Sequence, residues 1–198
     1  MSPGRKKIDK RVTRTKEALK ASLVELIGEK DFSSITITEI TRRVDFNRGT
    51  FYAHYTDKEE LLNDIITDMI KGFTNAFRET FKDRDFVDFN QLASSSIKIF
   101  DHVSLNEQMY KTMLNPHIMP GFLEQIVGGV KKVIMEECIY HDYDQALDIN
   151  VYIHSRVYAL IGMIMYWLQE DFKYSPRYMS EQLLLLMNYK PKHITIKP

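Results

Sequence analysis

Two helix-start signals constrain this chain more than any other feature: Thr36-Ile37-Thr38-Glu39 and Thr56-Asp57-Lys58-Glu59. In each, the threonine can accept a hydrogen bond from the third amide of a helix while the glutamate reaches back to the threonine amide. Apolar residues follow at helical spacing, Ile37, Ile40 and Val44 after the first signal and Leu61, Leu62, Ile65, Ile66, Met69 and Phe73 after the second. Only residues 40–55 lie between them. That leaves room for one more short helix, capped by Asn47 and preceded by the turn Asp45-Phe46-Asn47. Three short helices between Asp31 and Thr56 have the dimensions of a helix-turn-helix, whose second helix protrudes.

Helical periodicity recurs along the rest of the chain, and no alternating strand pattern interrupts it, so the expected fold class is all-α. A first helix over Thr13 to Glu29 aligns Leu19, Leu23, Leu26 and Ile27 on one stripe. After the polar break Lys82-Asp83-Arg84-Asp85, the pattern predicts a helix through Phe89, Leu92 and Ile99. Ser104-Leu105-Asn106-Glu107 reads as another capping box, opening a helix that Asn115-Pro116 stops. Gly121 to Glu137 reads as helix, with Gly128-Gly129 as its weak point.

The last two helices, about Asp144 to Glu170 and Pro176 to Tyr189, carry apolar residues on more than one face. Ile153, Leu160, Ile164 and Trp167 suit the chain's own core. A second stripe then needs another partner, and a second copy packing as a four-helix bundle is the simplest closed arrangement. The expected interface comprises Val151, His154, Tyr158, Ile161, Gly162, Met165, Leu183 and Leu186, with Gly162 permitting close approach.

The net charge of zero conceals an asymmetry. Residues 1–58 hold 13 Lys+Arg against 8 Asp+Glu, and the remainder holds 14 against 19. Met1 to Lys20 alone holds 8 basic and 2 acidic residues, as expected of a segment lying near a polyanion. A single cysteine, Cys138, rules out an internal disulfide. With no membrane-length apolar stretch and no signal-peptide pattern, the expectation is a cytoplasmic protein that does not engage membrane.

The stretch "TITEITRRVDFNRGTFYAHYTDKEELL" resembles the TetR family of bacterial one-component regulators: a Thr-capped helix, a turn, a Gly-Thr-aromatic-Tyr-x-His-aromatic helix, then Lys-Glu-x-Leu-Leu. The segment "LIGMIMYWLQEDFKYSPRYMSEQLLLLM" resembles the dimerisation helices of the branch that includes the activator of dihydroxyacetone utilisation. The resemblance implies an N-terminal three-helix DNA-binding module and a C-terminal helical bundle for ligand binding and dimerisation. The expected boundaries are 1–56 for the DNA-binding domain, 57–82 for a connecting helix and 83–198 for the effector-binding and dimerisation domain.

By the same resemblance, the helix from Asn47 to His54 enters the major groove. Arg48, Thr50 and Ala53 are then candidates for base edges, Tyr52 and His54 for phosphates, and Phe51 and Tyr55 for buried anchors. Gly49 allows close backbone approach, Lys58 meets the DNA backbone, Thr36 and Thr38 at the N-terminus of the preceding helix are further candidate DNA contacts, and Asn47 completes the DNA-binding set. The family has Ala-Gly where this chain has Val44-Asp45, which puts a negative charge near phosphate for Arg42 and Arg43 to offset. The expected partners are an operator of inverted-repeat duplex DNA and a second copy of the chain.

The expected function is a repressor released by a small-molecule effector; the alternative is an activator or constitutive DNA binder controlled by a protein partner. His102, Met109, Met113, His117 and Tyr158 are the candidate effector lining. Glu137, Cys138 and His141 have spacing compatible with one metal, but no second ligand cluster supports them, and no metal or other cofactor is expected. Nothing resembles a phosphate loop, nucleophile elbow or catalytic carboxylate pair, so no enzymatic activity is expected.

Overall fold

A computed structural model of the chain describes residues 3–115, 119, 121–141 and 145–189, and of residues 3–9 the backbone alone. The regular elements among them are helical: α1 (Pro3–Glu29), a 3-10 turn (Phe32–Ser34), α2 (Ile37–Arg43), α3 (Arg48–Tyr52), α4 (Lys58–Glu79), a second 3-10 turn (Ser94–Ser96), α5 (Ile99–Leu105), α6 (Glu107–Met113), α7 (Phe122–Glu137), α8 (Ile149–Gln169) and α9 (Pro176–Asn188). They belong to two compact units, Met1–Lys71 with Gln108–Leu123, and Gly72–Glu107 with Glu124–Pro198.

In the first unit, the α1 stripe of Leu19, Leu23, Leu26 and Ile27 is buried together with Ile40 of α2, Phe51 of α3 and Leu61 and Ile65 of α4. Complete burial of one such side chain contributes about 1.5–3 kcal/mol. The buried Ser22 hydroxyl donates to the Ile40 carbonyl at 2.8 Å, satisfying a polar group where α1 meets α2. Helix α1 begins at Pro3 rather than Thr13. Proline suits a first helical turn, and the lysines and arginines that follow are good helix formers, so nothing breaks the extension.

The first capping box forms as the sequence predicts: Glu39 donates its amide to Thr36 Oγ1 at 3.3 Å, and the Glu39 carboxylate accepts from the Thr36 amide at 2.9 Å. The second box is displaced by one residue. Asp57 Oδ1 accepts from the Glu60 amide at 2.7 Å, and Glu60 reaches back to the Thr56 amide at 2.7 Å. Aspartate caps at least as well as threonine, and with Glu60 three positions on it captures the helix start.

In the second unit, α9 packs on α5, on α8 and on the Ser94–Ser96 turn. Trp167 is completely buried, donates Nε1–H to the Tyr174 carbonyl at 2.9 Å, and meets the rings of Phe100 and Phe172 at centroid distances of 5.8 and 4.6 Å. Ile153, Val157, Leu160, Ile161 and Ile164 point inward with it.

Two expected features are overturned here. There is no helix through Phe89 and Leu92; Ile99 is the first residue of α5. Asp83 adopts φ 57°, the Asp88 carboxylate accepts from the Asn90 amide at 2.9 Å, and a serine run follows. Such local side-chain bonds compete with helix formation and outweigh the apolar spacing. Ser104 does not open a helix either, because it lies in the last turn of α5. The Asn106 carboxamide donates to the His102 carbonyl at 2.8 Å where α5 ends, and α6 starts at Glu107. Helix α7 runs unbroken through Gly128 and Gly129. Helix α8 starts at Ile149, later than expected, because Asp148 accepts from the amides of Asn150 and Val151 at 2.8 and 3.3 Å.

Candidate nucleic-acid interface

Helix α3 has only five residues, too few to be stable alone, so its position must be imposed from outside. At its start, Asn47 Oδ1 accepts from the Thr50 amide at 2.8 Å. A Cβ on Gly49 would meet that same cap oxygen at 3.2 Å, so glycine keeps the cap uncrowded. Phe51 and Tyr55 turn inward, 0% and 3% exposed, while Arg48, Gly49, Tyr52 and Ala53 face solvent and Thr50 and His54 are half-buried.

The turn into α3 uses Asp45 at φ 54°. The Phe46 amide donates to the Thr41 carbonyl at 2.8 Å and the Asp45 amide to the Arg42 carbonyl at 3.2 Å, the paired bonds that close a helix through a left-handed residue. Asp45 therefore fills the conformation that glycine has in the family pattern, and the turn is complete. The expectation for Arg43 is revised: its guanidinium is paired with both carboxylate oxygens of Glu29 at 2.8 Å and with Glu25 at 3.1 Å, which raises its pKa and holds it on α1. Arg42 is exposed.

Behind α3 lies a charged network that the sequence reading did not identify. The Tyr55 hydroxyl donates to Asp64 Oδ2 at 2.8 Å; Lys20 pairs with Asp64 at 3.1 Å and also with Asp68; Lys16 pairs with Asp64 at 3.5 Å and lies 4.8 Å from the Tyr55 ring centroid. Burial pushes the Asp64 carboxyl up, but the Tyr55 and Lys20 hydrogen bonds and the lysine charges outweigh it and hold it below its ordinary value. Burial and the bond to that carboxylate raise the Tyr55 phenol well above its own, so it remains a donor. The network ties α1 and α4 to the residue that anchors α3. Its signal in the sequence is the shared helical spacing of Lys16 with Lys20 and of Asp64 with Asp68, visible only once those two faces are known to meet.

On the exposed side, Arg48 Nη2 donates to the Tyr52 hydroxyl at 3.2 Å and sits 5.8 Å from its ring centroid. Thr38 is exposed in the first turn of α2, and Thr36 is exposed at its cap. Lys58 is half-buried, with its ammonium donating to the carbonyls of Phe32, Ser33 and Ile35.

The other candidate groups have varied positions. Met109 and Met113 belong to α6 in the first unit, Met113 fully buried; His102 lies on α5 and Tyr158 on α8, both in the second. His117 falls outside the described residues. Tyr158 is 39% exposed and contacts the His154 ring at 4.6 Å, on an outward stripe of α8 that also carries Val151, Gly162 and Tyr166. Met165 and Leu183 are half-buried, Leu186 is exposed beside Leu185 on α9, and Ile161 turns into its own core. Glu137 is engaged by the Arg78 guanidinium at 2.7–3.0 Å, Cys138 is half-buried, and His141 is exposed. Among the described residues, no His, Cys, Asp and Glu side chains form a group able to hold a metal, and no helix is long and apolar enough to cross a membrane.

Comparison with known proteins bears on the family and the fold. Residues 20–65 match the family described as "Bacterial regulatory proteins, tetR family", and residues 90–189 match that described as "Transcriptional regulator C-terminal region". The chain is 24% identical over 194 residues to the HTH-type transcriptional regulator YxbF of Bacillus subtilis (strain 168), covering 96% of this chain and 49% of that protein. It thus spans about half the length of that relative. The crystal structure of a TetR transcriptional regulator from Streptococcus agalactiae 2603V shares the fold, with a TM-score of 0.54 and 22% identity over 90% of this chain and 96% of that one.

Proposed function

The chain belongs to the TetR family of transcriptional regulators, which bind DNA and are not enzymes, and we propose that it acts as a homodimeric repressor released from its operator by a small-molecule effector. The observation that carries this reading is the two-sided character of α3. Its inner face is locked by Phe51 and the Tyr55 hydrogen bond, while its outer face offers Arg48, Gly49, Tyr52 and Ala53 to the medium. A helix positioned so firmly, with its polar side left open, suits insertion into a major groove.

In this reading Arg48, Thr50 and Ala53 contact base edges, Tyr52 and His54 contact phosphates, and the N-terminus of α2 at Thr38 adds an amide-rich phosphate site. Two copies joined through the outward apolar stripes of α8 and α9 present two such helices near ~35 Å apart, one duplex turn, to an inverted repeat. The effector acts by favouring a dimer whose helix spacing no longer fits, with a coupling of about 1–3 kcal/mol.

Fluorescence anisotropy tests the proposal. The purified chain is titrated against its own upstream intergenic DNA and a scrambled duplex at two salt concentrations. Preference for the upstream duplex, weakening with salt, is the expected result; equal weak binding to both refutes an operator in that region.

A further inference from the structure

We infer that Lys58 is a positioning residue that clamps the N-terminus of α2 for DNA, rather than a residue that itself touches phosphate; the inference rests on the regulator reading above. Lys58 is the first residue of α4, where a cation is disfavoured by the positive end of the helix dipole. An ammonium has three N–H donors and no acceptor. Here all three have backbone partners in the link between α1 and α2: the carbonyls of Phe32 at 2.8 Å, Ser33 at 3.1 Å and Ile35 at 2.9 Å. The Phe32 ring centroid lies 4.6 Å from the same nitrogen. A phosphate contact would require at least one of these bonds to be surrendered.

The third bond places the clamp at the edge of the interface. The Ile35 carbonyl belongs to the same peptide group as the Thr36 amide, and that amide donates to Glu39 Oε2 at 2.9 Å. Glu39 is held in turn by Lys30 at 2.6 Å. One peptide group is therefore gripped at its oxygen by Lys58 and at its N–H by Glu39, immediately before the first turn of α2. That turn carries Thr38, which is exposed. Lys58 thus sets the height of the α2 N-terminus relative to α4 and to the anchored α3.

Salt dependence separates positioning from contact. Each lost phosphate contact lowers the magnitude of the slope of log K against log salt by about 0.9 on duplex DNA. Full-length wild type, Lys58→Met and Lys58→Arg are titrated against the upstream duplex across a salt series, well below their melting temperatures. The expected result is about a tenfold loss of affinity in Lys58→Met with the wild-type slope retained, a free-energy change of ~1.4 kcal/mol. Lys58→Arg should remain impaired, because its planar fork cannot reproduce three converging bonds although it binds phosphate well.

A slope reduced by about one unit, with rescue by Lys58→Arg, would make Lys58 a phosphate contact and overturn the inference. Unchanged affinity accompanied only by a lower melting temperature would also overturn it. Amide hydrogen exchange without DNA supplies the independent arm. The Thr36 amide should lose protection in both variants; if protection is retained, there is no clamp, whatever the DNA result. Absence of any wild-type preference for upstream DNA would count against the regulator reading alone.

Discussion

The Tyr55 hydroxyl and the Asp64 carboxylate, 2.8 Å apart, join the end of the exposed-helix segment to the middle of the first turns of α4, with Lys20 of α1 closing the group from the other side. Substituting Tyr55→Phe removes the donor and leaves the ring in place. The variant should lose about 1.5–3 kcal/mol of stability, as expected for a hydrogen bond to a charged group, measured by urea denaturation.

The exposed face of α3 separates two kinds of DNA contact. Arg48→Ala should flatten sequence preference, at a discrimination cost of about 1–3 kcal/mol if the guanidinium makes a bidentate base contact. Tyr52→Phe removes a hydroxyl that Arg48 contacts in the free protein, and the proposed phosphate contact with it. It should weaken operator and scrambled duplex alike. Anisotropy against a panel of single-base operator variants reads both effects.

Acid should loosen the first unit through Glu39. The Lys30 ammonium, followed by the Thr36 amide and hydroxyl, lowers its pKa from 4.5 to about 2. A carboxylate depressed in the fold contributes stability that is fully present above its unfolded value and disappears as pH falls through the folded one. The urea midpoint should therefore decline between pH 4.5 and 2, and Asp64, also held low, adds in the same direction. Glu39→Gln should lower the midpoint at pH 6 and flatten this decline.

At Gly72, the usual benefit of alanine in a helix should reverse. A Cβ there would lie 2.8 Å from His102 Cε1 and 3.1 Å from Nε2. Replacing a mid-helix glycine by alanine ordinarily gains about 0.5–1 kcal/mol, but this crowding should make Gly72→Ala destabilising in the wild-type background. In His102→Ala the same change should stabilise, and a thermal double-mutant cycle checks the change of sign.

The exposed apolar residues of α9 and the inward face of α8 should respond differently. Leu185→Asp with Leu186→Asp charges two exposed residues of α9 and should give a monomer by light scattering, with weakened operator binding. Ile161→Ala instead opens a cavity in the chain's own core and should cost about 2–5 kcal/mol without that shift in mass.

The sequence by itself determined the helical class, the α2 capping box, the Asn47 cap and the buried anchors Phe51 and Tyr55, because each is a local rule acting over one or two turns. It also placed apolar residues on more than one face of α8 and α9, where Val151, Tyr158, Leu185 and Leu186 are exposed. Where two local rules competed, the reading failed: Asp57 displaced Thr56 as a cap, and the Asp88 turn displaced the helix expected through Phe89. Tertiary structure alone decided what distant charges meet. Lys20 finds Asp64, Arg43 finds Glu29, and Lys58 reaches the carbonyls of the α1–α2 link. Tertiary structure also directed Ile161 inward and left neighbouring Gly162 exposed. Helical periodicity gives the angle between residues on one helix, but only the packing of helices against one another fixes which angle points to the core and which charges share a dielectric.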